Sequence, residues 1–305
     1  MAAVYYTIDI KIISRMQTME KIKFNGSSKK NFRRVAASVL LCFVILSVNV
    51  YYYSNIEFGS SSITSTLPGI LESPFADESK PQAKLAIIID DFGQNRLGVK
   101  DMMTLDRHMT FAIMPFLTFS QSDAEAAHKN GFEIIVHLPM ESYSGKLSWV
   151  GPRPILSVLS DQEIYNLVID AFDSVPYAVG ANIHMGAKAG GDERVISDVL
   201  DVIKVKNLYF VDSRSARKPI AKGIADEKGV LCYDRDVFLD TQKDKAYIKK
   251  QLKRAGEIAL KKGYAVAIGH VGTEGGKITY EAIKETLPYF DSNNIQLVYV
   301  SELGK

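Results

Sequence analysis

Residues 84–93 read KLAIIIDDFG. Lys84 is followed by five apolar residues, then by two aspartates and a Phe-Gly turn signal. A short run that is apolar throughout, rather than alternating, is the pattern of a strand covered on both faces, as in a parallel sheet. Similar runs recur at 109–114 (MTFAIM), 132–136 (FEIIV), 178–183 (AVGANI), 207–211 (NLYFV), 229–233 (GVLCY), 264–268 (YAVAI) and 295–300 (IQLVYV). Helix-like stretches lie between them at 120–130, 160–173, 192–205, 243–262 and 277–289. The second of these opens with SDQE, a capping box with Ser160 at the N-cap and Glu163 three residues on. The first opens with Ser120 as its expected N-cap and stops at Gly131.

Repeated strand-then-helix units imply a parallel sheet. Seven or eight units in roughly 220 residues predict a distorted (β/α) barrel at 84–305, with an open doubly wound sheet as the alternative. No G-x-G-x-x-G follows the first strand and no Walker A pattern occurs, so dinucleotide and P-loop chemistry have no support. Lys+Arg number 37 and Asp+Glu 35, a near balance that argues against nucleic acid as a partner. Cys42 lies in an apolar segment and Cys232 in the folded part, which excludes a disulfide framework and a cysteine-rich zinc site.

The N-terminal region reads differently. Residues 1–34 end in a basic stretch, and 35–53 (VAASVLLCFVILSVNVYYY) carry no charge. As a helix that segment spans about 28 Å, the thickness of a hydrocarbon core. Lys29, Lys30, Arg33 and Arg34 mark the cytoplasmic side, and Tyr51 to Tyr53 suit the far interface. The segment is long for a cleaved signal peptide and no A-x-A-like site follows it. A single-pass anchor in the cytoplasmic (inner) membrane is therefore expected. Residues 54–83, rich in Ser, Thr, Pro and Gly, form a flexible tether to a domain on the outer side.

The chemistry-bearing residues fall at strand ends. Asp90 and Asp91 end the first run, His137 the third, His184 the fourth, Asp212 the fifth and His270 the seventh. In a (β/α) barrel these ends meet on one face, where active sites are built. Each alone has a plainer reading, as a turn cap or a structural histidine, and for Asp212 the cap is the expectation. Together, two histidines and a carboxylate make an open metal site. A bound zinc lowers the pKa of its water to about 7 and polarises a carbonyl. A second carboxylate can act as general base. Trp149, in the loop 142–154, stands near the expected mouth, either packing on the barrel rim or stacking on a sugar ring. His108 and His128 are expected to be surface or packing residues.

The strings IIIDDFG (87–93), VHLPME (136–141), GANIHMG (180–186), FVDSR (210–214) and AIGH (267–270) together resemble the divergent polysaccharide deacetylase family, in order and approximate spacing. That family is related to NodB-type carbohydrate esterases, which remove acetyl groups from glycans on a distorted (β/α) barrel with a divalent metal, usually zinc. The resemblance implies Asp90 as catalytic base, His270 as acid, and Asp91 and His137 as metal ligands. Ordinary esterases carry a second histidine four residues after the first, where this chain has Glu141, and His184 is expected to take that place. Arg214 is a candidate to hold a substrate carboxylate or orient Asp90. The family pattern Asn-Asn-His-Met-Gly-Ser is altered at Ile183 and Ala187, and Val271-Gly272 follows His270 where the family tends to continue with Pro.

Two functions follow as expectations. One is a metal-dependent hydrolase removing acetyl groups from an envelope or extracellular polysaccharide. The other is a non-catalytic, membrane-anchored glycan-binding or envelope-assembly protein on the same barrel, since fold alone does not establish activity.

Overall fold

The structure is a computed structural model and describes residues 83–304 apart from 95 and 145. The basic segment 1–34, the expected membrane span 35–53 and the tether up to residue 82 lie outside the described residues. Ala83, the last residue assigned to the tether, already belongs to the first strand. Among the described residues no helix is long and apolar enough to cross a membrane.

Among the described residues nine strands occur, β1 (Ala83–Phe92), β2 (Thr110–Ile113), β3 (Glu133–Met140), β4 (Gly180–Met185), β5 (Tyr209–Asp212), β6 (Cys232–Asp234), β7 (Val237–Phe238), β8 (Tyr264–His270) and β9 (Ile295–Val298). The helices are α1 (Val99–Met102), α2 (Ser120–Lys129), α3 (Leu147–Val150), α4 (Asp161–Ser174), α5 (Glu193–Val205), α6 (Ala221–Lys228), α7 (Lys245–Lys262) and α8 (Lys277–Ser292). Every strand pairing is parallel, in the order β6-β5-β4-β3-β2-β1-β8-β7. The two ends of that order are pieces of one segment. It pairs with β5 at Tyr233 and Asp234, then with β8 at Val237 and Phe238. Between them the Arg235 N–H donates to the Asp212 carbonyl and the Asp236 N–H to the Val266 carbonyl. A strand that changes partners in mid-course thus closes the ring, which is the distortion of the barrel. The last strand does not take its place in that sequence of staves. β9 pairs with the first half of β1, at Ala83 to Ala86, below the point where β2 takes over at Ile88.

Period-two alternation divides the core. On β1, Leu85, Ile87 and Ile89 face outward and pack with helix residues such as Val199, Leu252 and Ile283, all fully buried. Ala86 and Ile88 face inward and meet Ala112, Ile135, Val211, Val266 and Ile268 from neighbouring strands. Val300 and Leu303, from the C-terminal turn, complete this inner cluster. The lower barrel is therefore solid, and only the C-terminal strand ends are left to line a site.

The predicted capping box forms: the Glu163 carboxylate accepts from the Ser160 N–H at 2.8 Å, and the Ser160 hydroxyl caps the Glu163 N–H. Ser120 behaves otherwise. Phe119 is the N-cap of α2, and the Ser120 hydroxyl donates to the Met114 carbonyl and accepts from the Leu117 N–H. That side chain folds back to tie the β2–α2 loop instead of capping the helix.

Candidate metal centre

Alternation alone would put Asp90 inside the barrel, after Ala86 and Ile88, and send Asp91 outward. The structure turns both inward. Between Ile89 and Phe92 the β1–β2 register slips, three steps on β1 matching two on β2, from Ile89 opposite Phe111 to Phe92 opposite Ile113. Asp91 sits in this bulge with a left-handed φ of 70°. Phe92 then returns to the outer layer and stacks on Phe111 with ring centroids 4.5 Å apart, which fixes the bulge in place.

His137 on β3 and His184 on β4 also face the interior. Asp91 Oδ1 lies 3.5 Å from His137 Nε2 and 3.3 Å from His184 Nδ1, and those two nitrogens are 3.1 Å apart. Asp91 Oδ1 is buried and has no hydrogen-bond partner among the described residues. Only a positive charge between these acceptors, a proton or a metal ion, satisfies all three.

The surrounding bonds fix which ring atoms are presented. An Asp90 carboxylate can only accept, so the Asn182 amide group donates to Asp90 Oδ1 at 2.8 Å. The Asn182 carbonyl then faces His137 and accepts from Nδ1 at 2.7 Å, leaving Nε2 for the cluster. At the other histidine, His184 Nε2 lies 3.2 Å from the Trp149 carbonyl and must donate to it, leaving Nδ1 for the cluster. Asp91, His137 and His184 each offer one ligand atom, all within 4.8 Å of one another. One carboxylate and two imidazoles suit a borderline divalent ion such as zinc, and the donor set fits.

Two further groups flank this cluster. Asp90, paired in register with His270 across β1 and β8, places Oδ2 3.6 Å from His137 Nε2. Burial raises the Asp90 carboxyl above its ordinary range, against the opposing charges of His137 and His270. Burial also opposes ionisation of Asp91, but the nearby His137, His184 and His270 prevail and hold it below the usual carboxylate range. His270 Nδ1 is 2.8 Å from Asp240 Oδ1, and the His270 N–H donates to Asp240 Oδ2 at 2.7 Å. Burial disfavours the His270 cation, but Asp240, with Asp91 and Asp90 beyond, outweighs it and pushes the imidazole up to about 9.

A cavity of about 680 Å³ opens over this floor. Asp90, Asp91, His137, His184 and His270 line it, as does Trp149, which is 63% exposed at the mouth and so is not packed on the rim. Arg214 lies elsewhere. Its φ is 53°, and its guanidinium reaches Asp234 at 3.9 Å and does not line the cavity. The arginine that does is Arg235, anchored through Nε to the Ser213 carbonyl at 2.7 Å and lying over Phe238. Asp212 is a turn cap: its Oδ1 accepts from the Arg214 N–H at 2.7 Å. Glu141 is a loop clasp, accepting from both the N–H and hydroxyl of Ser157 and from Lys188. Ile183, the altered family position, packs in the outer layer beside Gly186, whose φ of 67° is glycine's territory and where a Cβ would come within 2.3 Å of Ile183 Cγ2. His108 and His128 stack on Tyr299 and Tyr177, away from the cavity.

Three groups escaped the sequence reading. Asn182 stood inside a quoted motif, and the His two residues on is the signal that it shares a face with it. Asp240 ends the short β7 region as the other carboxylates end theirs. Arg235 carried no signal, because its orientation depends on the strand that changes partners.

Comparison with known proteins bears on the fold and the family of the chain. The chain is 34% identical over 187 residues to the uncharacterized protein YibQ of Escherichia coli (strain K12), covering 61% of this chain and 58% of that protein. It is 33% identical over 189 residues to an uncharacterized protein of Haemophilus influenzae, covering 62% of this chain and 67% of that one. The crystal structure of the uncharacterized protein ATU2773 from Agrobacterium tumefaciens C58 superposes with a TM-score of 0.66 at 20% identity, over 74% of this chain and 90% of that chain, a likeness of fold. Residues 87–304 match the divergent polysaccharide deacetylase family, and with well over half of its sequence so matched, the chain belongs to that family.

Proposed function

We propose that this protein is a metal-dependent hydrolase that removes acetyl groups from an envelope polysaccharide, held outside the cytoplasmic membrane by residues 35–53. The observation that carries the reading is the buried Asp91 Oδ1, without a hydrogen-bond partner among the described residues and facing two histidine nitrogens, with Asp90 and His270 on either side. A divalent ion held by Asp91, His137 and His184 would supply an acidified water and a positive charge to stabilise the developing oxyanion. Asp90, buried and raised, takes a proton as general base. His270, kept protonated by Asp240, gives one to the departing amine or alcohol. Asn182 holds the base and one ligand in a single hydrogen-bonded unit, so neither has to reorganise during reaction.

Acetate release decides between this reading and a binding module. Zinc-loaded full-length protein is incubated with acetylated oligosaccharides, and acetate is measured enzymatically. The enzyme reading expects release that falls about 10²–10⁴-fold in Asp90→Asn. Glycan binding by zinc-loaded protein that survives Asp90→Asn, with no acetate released from any acetylated oligosaccharide, sinks it.

A further inference from the structure

The segment after β3 is pinned across the end of that strand. The Glu141 N–H donates to the Ile155 carbonyl at 2.9 Å, and the Ile155 N–H to the Pro139 carbonyl at 2.8 Å. Within this excursion α3 is a single turn, in which the Trp149 N–H bonds the Lys146 carbonyl at 2.9 Å and Val150 is buried. Gly151 follows with φ 98°, and a Cβ there would come within 2.6 Å of Met114 Cε. The turn is thus seated closely on the barrel rim, with one side chain left outside. The Trp149 ring is 63% exposed and lines the cavity mouth.

The same residue touches the floor of the site. Its carbonyl is the partner of His184 Nε2 at 3.2 Å, and this bond decides that Nδ1 faces Asp91 and His137. Groups that accept the second N–H of a ligating histidine tune ligand basicity and ring orientation. Here that acceptor belongs to a one-turn helix on a loop, whereas the acceptor for His137 is Asn182 on a barrel strand. One ligand is positioned by the rigid barrel and the other by an element that carries an exposed indole.

We propose that Trp149 couples glycan binding to the metal site, its carbonyl positioning His184 while its indole takes the C–H face of a substrate sugar ring. This deepens the deacetylase reading and rests on it. A pyranose presents a flat apolar face edged with hydroxyls, and an exposed indole beside a polar cavity complements that face. Packing of a sugar on the indole restrains α3 and with it the carbonyl. Coupling is reciprocal, so the sugar tightens metal binding by the factor by which metal tightens sugar binding.

The chain contains one tryptophan, so its fluorescence reports on this position alone. Zinc is titrated into metal-stripped full-length protein, with binding followed in parallel by a zinc-chelator competition. The titration is repeated with saturating N-acetylated chitotetraose. The expected result is a change in Trp149 emission that tracks zinc occupancy, and zinc binding at least about five-fold tighter with the tetrasaccharide present. Trp149→Ala keeps the carbonyl and loses the ring, so it should still bind zinc while the tetrasaccharide no longer alters zinc affinity. Zinc binding that leaves Trp149 emission unchanged overturns the proposal, as does an equal tetrasaccharide effect in wild type and Trp149→Ala, including no effect in either. Absence of zinc binding by the competition assay instead overturns the metal-dependent reading itself.

Discussion

Asp240 grips His270 twice, accepting from the ring at Nδ1 (2.8 Å) and from the backbone N–H (2.7 Å), and its Oδ2 also receives the Thr279 hydroxyl at 2.9 Å. A carboxylate so restrained cannot swing away, so it fixes both the orientation of the imidazole and its charge. Their meeting depends on β7 crossing to β8, which brings residue 240 beside residue 270.

Asp240→Asn should therefore remove the cause of the raised His270 pKa. In metal-free protein His270 should titrate at about 9 in the wild type and move down in the variant, read from its imidazole resonances by NMR. The folded pKa lies above the ordinary 6.5, so the charged pair stabilises the fold fully below about 6.5 and this contribution fades as pH rises through 9. If His270 is the acid, the alkaline fall in kcat should begin at lower pH in Asp240→Asn. A His270 titration unmoved by the substitution refutes the assignment.

Asn182→Ala should weaken zinc binding about 10–100-fold, because His137 loses the acceptor that fixes its ring. It also frees Asp90 from its amide donor, so kcat should fall even at saturating zinc. Competition with a chromogenic chelator reads the first effect and acetate release the second.

Asp91→Ala should abolish zinc retention through dialysis, measured by elemental analysis, while Asp90→Asn should retain the ion and lose turnover. Adjacent residues with opposite outcomes test the bulge directly. Equal zinc loss in both would mean that Asp90 is a ligand.

Glu141→Gln should leave zinc affinity intact and lower stability by about 1–2 kcal/mol, from weaker bonds to Ser157 and Lys188. Hydrogen bonds from Ser157, aided by Lys188 and opposed by slight burial, lower the Glu141 carboxyl to about 2. A depressed folded pKa stabilises above the ordinary 4.5, and this contribution is lost as pH falls through 2. The gap between wild type and variant in urea melts should therefore be full at neutral pH and narrow as pH drops from 4.5 towards 2.

The continuous apolar runs, alternating with helical stretches, determined by themselves a parallel sheet covered on both faces, since strand-then-helix units lay helices over both sides of KLAIII. Strand-end position likewise picked out Asp90, His137, His184 and His270, because period-two alternation carries three of them inward after Ile88, Ile135 and Ile268, and His184 after Asn182. Chain order put Asp91 at the same strand end but could not say how its side chain turns inward against the alternation. Its direction is set by a register slip against β2 and a left-handed backbone, and both are properties of the pairing. Nor could it choose Arg235 over Arg214, assign Glu141 to Ser157, or bring Asp240 to His270. Those contacts are made between segments far apart in sequence or by a strand that changes partners, and alternation carries no information across such a break. Alternation sets the side a residue takes along a regular strand; only the pairing and closure of the barrel decide where that alternation breaks and which residues share the space inside.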